Sequence, residues 1–261
     1  MIKRASKQRF LSMLFVCAMS STLLTSVHAD PYNLYETFED QTWDYTSEPQ
    51  KNNPYALNII NNPTFGAYEG SRVQRFQWDR VWYDASDRAT KGSEIAQPQV
   101  RAAWNQDIWE EFYFYFPSSS DGMSNDSKGM IIKQWIAWHP SIPNTNKSFA
   151  FTLQNGVLKA QRAYGDRVNP SYQDYTITSN IPKDQWVKFK LNLRFDRTGS
   201  SGKIKVWMND SLKVDVSGFS MGVGSPDYGP YTKYGIYAHS SSDFTKRVFF
   251  ADKIKWSYNA F

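Results

Sequence analysis

Apolar and polar residues alternate along several stretches of this chain. One such stretch, residues 186–195, reads WVKFKLNLRF. Its apolar positions are Phe189, Leu191, Leu193 and Phe195, and the polar positions between them are Lys188, Lys190, Asn192 and Arg194. Because successive side chains of a β-strand point to opposite faces, this pattern predicts a sheet with one buried and one solvated face.

Similar runs recur with turn residues between them, among them EEFYFYF, GMIIKQWIAW, GKIKVWMN and YTKYGIYAH. Asn155-Gly156 and Asn209-Asp210 stand between such runs, where tight hairpin turns are expected. No stretch has the period of about 3.6 residues that is typical of an amphipathic helix. The chain is therefore predicted to be all-β: a single-domain jelly-roll sandwich of two antiparallel sheets.

The first residues follow a different pattern. Four basic residues precede the apolar run FLSMLFVCAMSSTLLT: Lys3, Arg4, Lys7 and Arg9. Small residues then lead to Ala29, which is typical of a secretory signal peptide, and the run is too short for a membrane anchor. We therefore predict a signal at 1–29 and a secreted domain, extracellular or periplasmic, at 30–261, with no membrane partner.

This assignment changes the charge balance. The whole chain has 30 Lys and Arg against 25 Asp and Glu, but only 26 of those cations lie beyond the signal, so nothing global predicts a nucleic-acid partner. The single cysteine, Cys17, and His28 also fall within the signal, which leaves two histidines, His139 and His239. A zinc or haem site built from His and Cys is therefore not expected.

The stretch YTKYGIYAH places several ionisable groups on one predicted strand face: Tyr231, Lys233, Tyr237 and His239, with Gly235 among them. A neighbouring ammonium favours a phenolate, so Lys233 beside Tyr237 predicts a tuned acid or base. Gly235 is expected to leave an open floor for a substrate. The alternative is a solvated sheet face on which these residues meet by chance.

The same stretch resembles a known family. YTKYGIY is similar to the Tyr-Phe-Lys-x-Gly-(Val/Ile)-Tyr signature of jelly-roll polysaccharide lyases, the fold of alginate lyases, glucuronan lyase and heparinase I. IIKQW resembles their Gln-x-His strand, KDQWVKFKLNLRFD and GKIKVWMND their long paired strands, and FFADKIKW their closing strand. The resemblance covers roughly residues 97–261. It implies a jelly roll with a concave substrate groove.

The resemblance also implies an activity: β-elimination of a uronic-acid polysaccharide such as alginate, glucuronan or ulvan, which leaves an unsaturated uronate end. Donors neutralise the carboxylate next to C5, a base removes the C5 proton, and an acid protonates the leaving oxygen. Position by position, Tyr237 matches the catalytic Tyr, Lys233 its supporting lysine and Gln134 a carboxylate-binding residue. The expected partner is an acidic polysaccharide, no cofactor is required for the chemistry, and we expect a monomer.

Further contacts are predicted from the family's arginine strand, usually Arg-(Ser/Thr)-Glu-(Leu/Val)-Arg, which we align with QPQVR. Only Arg101 is kept, as a carboxylate-binding residue, and Gln97 and Gln99 share its face if the stretch is a strand. A solvent-facing arginine is the alternative. The other predicted substrate contacts are Gln99, Lys133, Trp138, His239 and Tyr231, with Trp138 as a sugar platform.

The family's histidine is missing, because Gln134-Trp135-Ile136 stands where Gln-x-His is expected. Three substitutes remain open. A two-residue insertion could bring His139 to the site, or His239 could supply an imidazole from the face of Tyr237. Alternatively, Tyr237 could act alone as base and acid, with Lys233 or Lys133 as electrostatic help.

Two acids near the ends of the domain, Glu39 and Asp252, are candidate ligands of a structural calcium ion of the kind found in jelly-roll sugar proteins, and exposed acids without a metal are the alternative. A glycoside hydrolase is disfavoured, because the adjacent Glu110 and Glu111 would point to opposite faces of a strand. A non-catalytic carbohydrate-binding jelly-roll protein is the remaining alternative.

Overall fold

The computed structural model describes residues 34–118, 126–142, 145–238, 242 and 244–261, which lie in one compact unit spanning 31–261. These residues contain fifteen β-strands in two antiparallel sheets and two short 3₁₀ helices, Arg80–Trp82 and Arg88–Thr90. The prediction of an all-β sandwich is therefore confirmed. The predicted signal at 1–29 lies outside the described residues.

The eight-stranded sheet has the order β13-β12-β11-β6-β15-β4-β3, with β1 paired to β15. Its strands are β1 (Leu34–Glu36), β3 (Leu57–Asn61), β4 (Arg72–Asp79), β6 (Asp107–Tyr115), β11 (Trp186–Arg194), β12 (Gly202–Met208), β13 (Ser211–Phe219) and β15 (Lys246–Ser257). The seven-stranded sheet has the order β10-β9-β8-β7-β14-β5-β2. Its strands are β2 (Thr46–Glu48), β5 (Gly92–Ala96), β7 (Met130–Ile136), β8 (Lys147–Gln154), β9 (Val157–Gly165), β10 (Pro170–Thr178) and β14 (Tyr231–Ala238).

The core lies between the two sheets and is rich in aromatic rings. Phe189 of β11 packs against Phe112 of β6 and Phe151 of β8, with ring centroids 5.4 Å away in both cases. All three rings are fully buried, and each large side chain removed from water stabilises the fold by about 1.5–3 kcal/mol. The alternation that predicted β11 therefore reflects a true inner face.

The two predicted hairpin turns are present. Asn155 and Gly156 join β8 to β9 with φ angles of 50° and 76°, and Asn209 and Asp210 join β12 to β13 with φ angles of 49° and 62°. Positive φ at both central residues is the geometry of the tight turn that fits the twist of antiparallel strands. In the part of the chain that the structure describes, no helix is long and apolar enough to cross a membrane.

Candidate functional site

Strand β14 separates a polar cluster in the core from a polar groove on the outer face of the seven-stranded sheet. Thr232, Tyr234 and Ile236 point inward and are fully buried. Lys233 and Tyr237 point to the other side, which we call the groove face. The alternation predicted for this strand thus places two different sets of polar groups on its two sides.

The inward cluster is centred on Glu110 of β6. The Lys133 ammonium lies 2.7 Å from the Glu110 carboxylate, and neither side chain is exposed. Trp135 Nε1 donates to the same carboxylate at 2.9 Å, and the Tyr234 hydroxyl donates to it as well. Burial lowers the pKa of Lys133 to about 8 although Glu110 opposes this shift. The prediction that Lys133 contacts substrate is wrong, because Lys133 shares the inward face with Trp135.

The groove floor is built around a second carboxylate, that of Glu94 on β5. Lys233 donates to Glu94 at 2.7 Å and to Glu48 at 2.6 Å, while Gln134 Nε2 donates to the other oxygen of Glu94 at 2.6 Å. Lys233 and Gln134 are direct partners across β14 and β7. Burial disfavours the Lys233 ammonium, but the two carboxylates outweigh it and raise the pKa of Lys233 above its ordinary value.

This geometry changes the roles predicted for Lys233 and Gly235. The Lys233 charge is matched by Glu94 and Glu48 and is not available to act on Tyr237 alone. Gly235 has a φ of 129°, and a Cβ there would lie 2.2 Å from the carbonyl oxygen of Ser93. The glycine is therefore required by the close approach of β5, and it does not form an open floor for a substrate.

Tyr237 lies farther along β14 in a cavity of about 200 Å³, which we call the Tyr237 cavity. Its lining residues are Arg88, Ile131, Gln134, Ile136, Thr145, Asn146, Lys147 and Tyr237. The guanidinium carbon of Arg88 is 5.4 Å from the centroid of the Tyr237 ring. Gly92 is the partner of Tyr237 on β5, and a Cβ there would lie only 3.3 Å from the ring, so the glycine gives the ring room.

Lys147, at the start of β8, was missed by the sequence analysis. It is the cross-strand partner of Ile136, and its ammonium lies 4.3 Å from the centroid of the Tyr172 ring. Phe149, two residues later, points into the core, so regular alternation would bury Lys147 there too. An irregularity in the β7–β8 pairing at this point leaves Ser148 as an extra residue and returns Lys147 to the groove face. Sequence periodicity contains no sign of such a bulge.

Lys147 and Arg88 share an electrostatic property. Within the described ranges neither side chain has a carboxylate at ion-pair distance. Burial lowers the pKa of Lys147 to about 8, with the more distant Asp174 opposing the shift. The Tyr237 cavity therefore brings a phenol, two amides and two cations together, and its described lining contains no acidic residue.

The predicted arginine strand is not a strand. Residues 97–101 form a turn after β5 ends at Ala96, and the side chain of Gln97 accepts from Trp256 Nε1 at 3.1 Å in the core. Gln99 is exposed in this turn, in a separate concavity with Trp43 and Tyr45. The prediction that Gln97, Gln99 and the following arginine form one row on a strand face is therefore wrong. Strand β5, one of the two strands that pair with β14, reads GSEIA, with glycine and alanine where the family pattern has arginines.

Arg101 lies at the opposite end of β14 from Tyr237. It donates at 2.9 Å to the carbonyl oxygens of Gly229 and Trp138, and its guanidinium carbon is 4.9 Å from the centroid of the Tyr231 ring. Tyr231 and Tyr237 are six positions apart, or roughly 20 Å along an extended strand. The prediction that Arg101 and Tyr237 act on one uronate is therefore wrong, because the two side chains lie at opposite ends of β14.

The Tyr231 end has a cavity of its own, about 450 Å³ in volume, which we call the Tyr231 cavity. Its lining residues are Glu48, Arg88, Ile136, Trp138, Thr145, Tyr231 and Lys233. The indole of Trp138 is exposed at its edge. Because Arg88, Ile136 and Thr145 line both cavities, the two form one continuous groove.

His139 does not supply the missing imidazole in the described geometry. The ring of His139 is stacked on Tyr228 with centroids 3.7 Å apart, and its Nδ1 accepts the backbone N–H of Ser141 at 3.1 Å. His139 lines neither cavity, so the insertion hypothesis is not supported. His239 lies outside the described residues.

The carboxylates of Glu39 and Asp252 hold a loop at residues 68–72. Glu39 accepts the backbone N–H groups of Ser71 and Arg72, and Asp252 accepts those of Tyr68 and Glu69. Calcium takes about six to eight oxygen ligands, whereas no group of three or more acidic, His or Cys side chains suited to a metal occurs among the described residues. These carboxylates fit an anchor for backbone N–H groups, and the calcium prediction gains no support from them.

Comparison with known proteins gives an independent view of the chain. Residues 36–255 match the model of a family described as polysaccharide lyase. The structure is similar to endo-β-1,4-glucuronan lyase from the fungus Trichoderma reesei, with a TM-score of 0.69 and 14% identity over 87% of this chain and 95% of that chain. A search of curated protein sequences finds no match.

Two alginate lyases are also similar in structure. A family 7 alginate lyase in complex with substrate has a TM-score of 0.53 and 13% identity over 80% of this chain and 84% of that chain. An alginate lyase from Pseudomonas aeruginosa has a TM-score of 0.51 and 15% identity over 85% and 91% of the two chains. At such identities these structures establish the fold, a jelly-roll sandwich, whereas the family match extends from β1 to β15. The chain therefore belongs to the polysaccharide lyase family.

Proposed function

We propose that this enzyme is a secreted lyase that cleaves a uronic-acid polysaccharide by β-elimination in the Tyr237 cavity. The observation that carries the proposal is the lining of this cavity, where Arg88 and Lys147 face Tyr237 and Gln134 and the described lining contains no carboxylate. Two cations without an acidic counter-ion favour an anionic ligand. A uronate carboxylate next to a cleavable glycosidic bond supplies that charge where the reaction needs it.

Carboxylate binding is assigned to Arg88 and Gln134. A guanidinium can bind both oxygens of a carboxylate, and Arg88 reaches over the Tyr237 ring from the side of the groove. One N–H of the Gln134 amide is held by Glu94, which leaves the second N–H to donate to the substrate. Together these donors stabilise the charge that develops on the carboxylate when the C5 proton leaves.

Tyr237 is assigned to proton transfer. In β-elimination the electrons of the C5–H bond form the double bond between C4 and C5, and the C4–O4 bond breaks. The departing O4 takes a proton, which the Tyr237 hydroxyl can donate. Lys233 is assigned a supporting role, because its contact with Glu94 fixes the carboxylate that orients Gln134.

The groove is suited to a polymer. The Tyr237 and Tyr231 cavities adjoin, so a chain seated on β14 would place one residue at Tyr237 and its neighbours near Trp138 and Tyr231. An aromatic face such as that of Trp138 packs well against a pyranose ring. The names of the similar structures, a glucuronan lyase and alginate lyases, support the choice of polyuronates as the first substrates to test.

A substrate panel tests this proposal. Purified protein is incubated with alginate, glucuronan and ulvan, with a neutral glucan as control, and the ultraviolet absorbance of unsaturated uronate ends is followed. We expect product from at least one polyuronate and none from the glucan. Polyuronate binding without unsaturated product would contradict the proposal and favour a non-catalytic binding protein. Recovery of the protein outside the cytoplasm, with 1–29 removed, tests secretion.

A further inference from the structure

Three lysines lie on or beside the centre of the seven-stranded sheet, and their partners differ. Lys133 is paired with Glu110, and Lys233 is paired with Glu94 and Glu48. Lys147 lines the Tyr237 cavity and has no ion pair with any residue that the structure describes. Of these three lysines, Lys147 is therefore the one whose ammonium has no carboxylate partner among the described residues.

The position of Lys147 bears on the missing imidazole. Ile136 stands where the family pattern has histidine, and Lys147 is the residue directly opposite Ile136 on the next strand. The bulge at Ser148 turns the lysine toward the groove, so that an ionisable nitrogen faces the cavity one strand away from the expected place. Tyr237 faces the same cavity from β14.

Burial of Lys147 favours a neutral amine more than the setting of an ordinary surface lysine does. The Tyr172 ring of β10 lies beneath the ammonium and attracts it as a cation, so this contact favours the charged form, and Arg88 lines the same cavity. Asp174 of β10 supplies negative charge, but its carboxylate is already 3.3 Å from the Lys159 ammonium of β9. Desolvation by burial outweighs the attraction of Asp174, so the pKa of Lys147 falls to about 8.

We infer that Lys147 is the base that removes the C5 proton while Tyr237 acts as the acid. This inference rests on the β-elimination proposed above. The lone pair of the amine takes the proton, the C5–H electrons form the double bond to C4, and the C4–O4 bond breaks. O4 takes the Tyr237 hydroxyl proton, which leaves a phenolate and an ammonium. Exchange of one proton with water returns both groups to their starting states. Arg88 and Gln134 hold the carboxylate in this scheme, so Lys147 is not required as an anion-binding charge.

Substitution of Lys147 distinguishes a role as proton acceptor from a role as a positive charge that attracts the substrate. We expect Lys147→Arg to lose activity as severely as Lys147→Met, about 10²–10⁴-fold in kcat/KM, because an arginine keeps the charge but gives up no proton at working pH. Lys205→Met is the control, because it removes a lysine of the eight-stranded sheet that pairs with Asp215 and lines neither cavity, and its kcat/KM should stay near the wild-type value. Unchanged far-ultraviolet circular dichroism establishes that the variants are folded.

The pH dependence supplies a second readout. A base with a pKa of about 8 predicts that wild-type kcat/KM rises with pH and levels off above that value, because only the neutral amine accepts the proton. Lys147→Ala should lose this limb and regain activity when methylamine is added, in proportion to the free amine. A Lys147→Arg enzyme with near wild-type kcat/KM and an unchanged limb would overturn the inference while leaving the proposed function intact. Failure of the wild type to form unsaturated product from any polyuronate would overturn both.

Discussion

Each end of β14 has a tyrosine with an arginine beside its ring, and the two arginines differ in what else they contact. At the Tyr231 end, Arg101 donates to two backbone carbonyls and His139 is stacked on a tyrosine. At the Tyr237 end, Arg88 and Lys147 face the cavity without a carboxylate partner in the described parts of the chain. Residue type alone therefore does not locate a site. Cationic side chains that face a cavity without a carboxylate partner, such as Arg88 and Lys147, are a better guide to the site.

The largest effect is expected from the phenol. Tyr237→Phe removes only the hydroxyl, so the fold should be retained while kcat falls by about 10²–10⁴-fold, the usual contribution of a positioned proton carrier. The matched control is Tyr231→Phe at the other end, which should change kcat little. Initial rates of unsaturated product formation measure both. Equal losses in the two variants would remove the distinction between the two ends.

Removal of each arginine gives the next largest effect. Arg88→Ala should lower kcat/KM by about 10²-fold or more, because a donor to the developing negative charge is lost. Arg101→Ala should have a much smaller effect on kcat, and it should instead lower the melting temperature, because the two carbonyls that Arg101 holds lose their donor. If Arg101→Ala proves the more damaging to kcat, the Tyr231 end is the reacting one.

A smaller loss is expected from Glu94→Gln, which tests the groove floor. The substitution keeps the shape of the side chain but leaves Glu48 as the only carboxylate on Lys233. The loss of stability should be below the ~3–5 kcal/mol typical of an orphaned buried charge, because Glu48 remains. Urea unfolding measures it, and kcat should fall moderately as Gln134 loses its fixed orientation. No change in either quantity would show that Glu94 does not organise the floor.

The smallest effect is expected from Trp138→Ala. Trp138 is exposed at the edge of the Tyr231 cavity, so its ring is placed to pack against a sugar away from the reacting bond. KM for long chains should rise by a few fold, since an aromatic contact of about 0.5–1.5 kcal/mol is lost, and kcat should be unchanged. A loss of kcat with constant KM would instead assign Trp138 to the chemistry.

Much of the fold was readable from the sequence. Alternation predicted β11, because a strand with one buried and one solvated face has a period of two in its sequence. The Asn155-Gly156 pair predicted a hairpin turn, because these residues readily adopt positive φ angles. The same parity placed Glu110 and Glu111 on opposite faces, and the structure agrees: Glu110 is in the core and Glu111 meets Lys255 at 3.1 Å on the outer face.

Only part of the site could be predicted from the sequence, because some of its residues do not follow regular strand alternation. Gln134 and Lys233 were placed together correctly because both follow regular strand parity. Arg101 was misplaced because β5 ends before Pro98, so parity does not extend through the turn. Lys147 was missed because a β-bulge turns its side chain from the core face to the groove face. Arg88 was missed because it lies on a short 3₁₀ helix, which has no periodic pattern.

A crystal structure of Tyr237→Phe with a bound uronate tetrasaccharide tests directly whether the Tyr237 cavity is the reacting site. The slow variant should retain the uncleaved ligand, because Arg88 and Gln134 are unchanged. We expect one uronate with its carboxylate within hydrogen-bond distance of both Arg88 and Gln134, its C5 facing Lys147 and its O4 beside the ring at position 237. A tetrasaccharide whose nearest carboxylate instead lies on Arg101, with the Tyr237 cavity empty, would contradict this assignment of the reacting site.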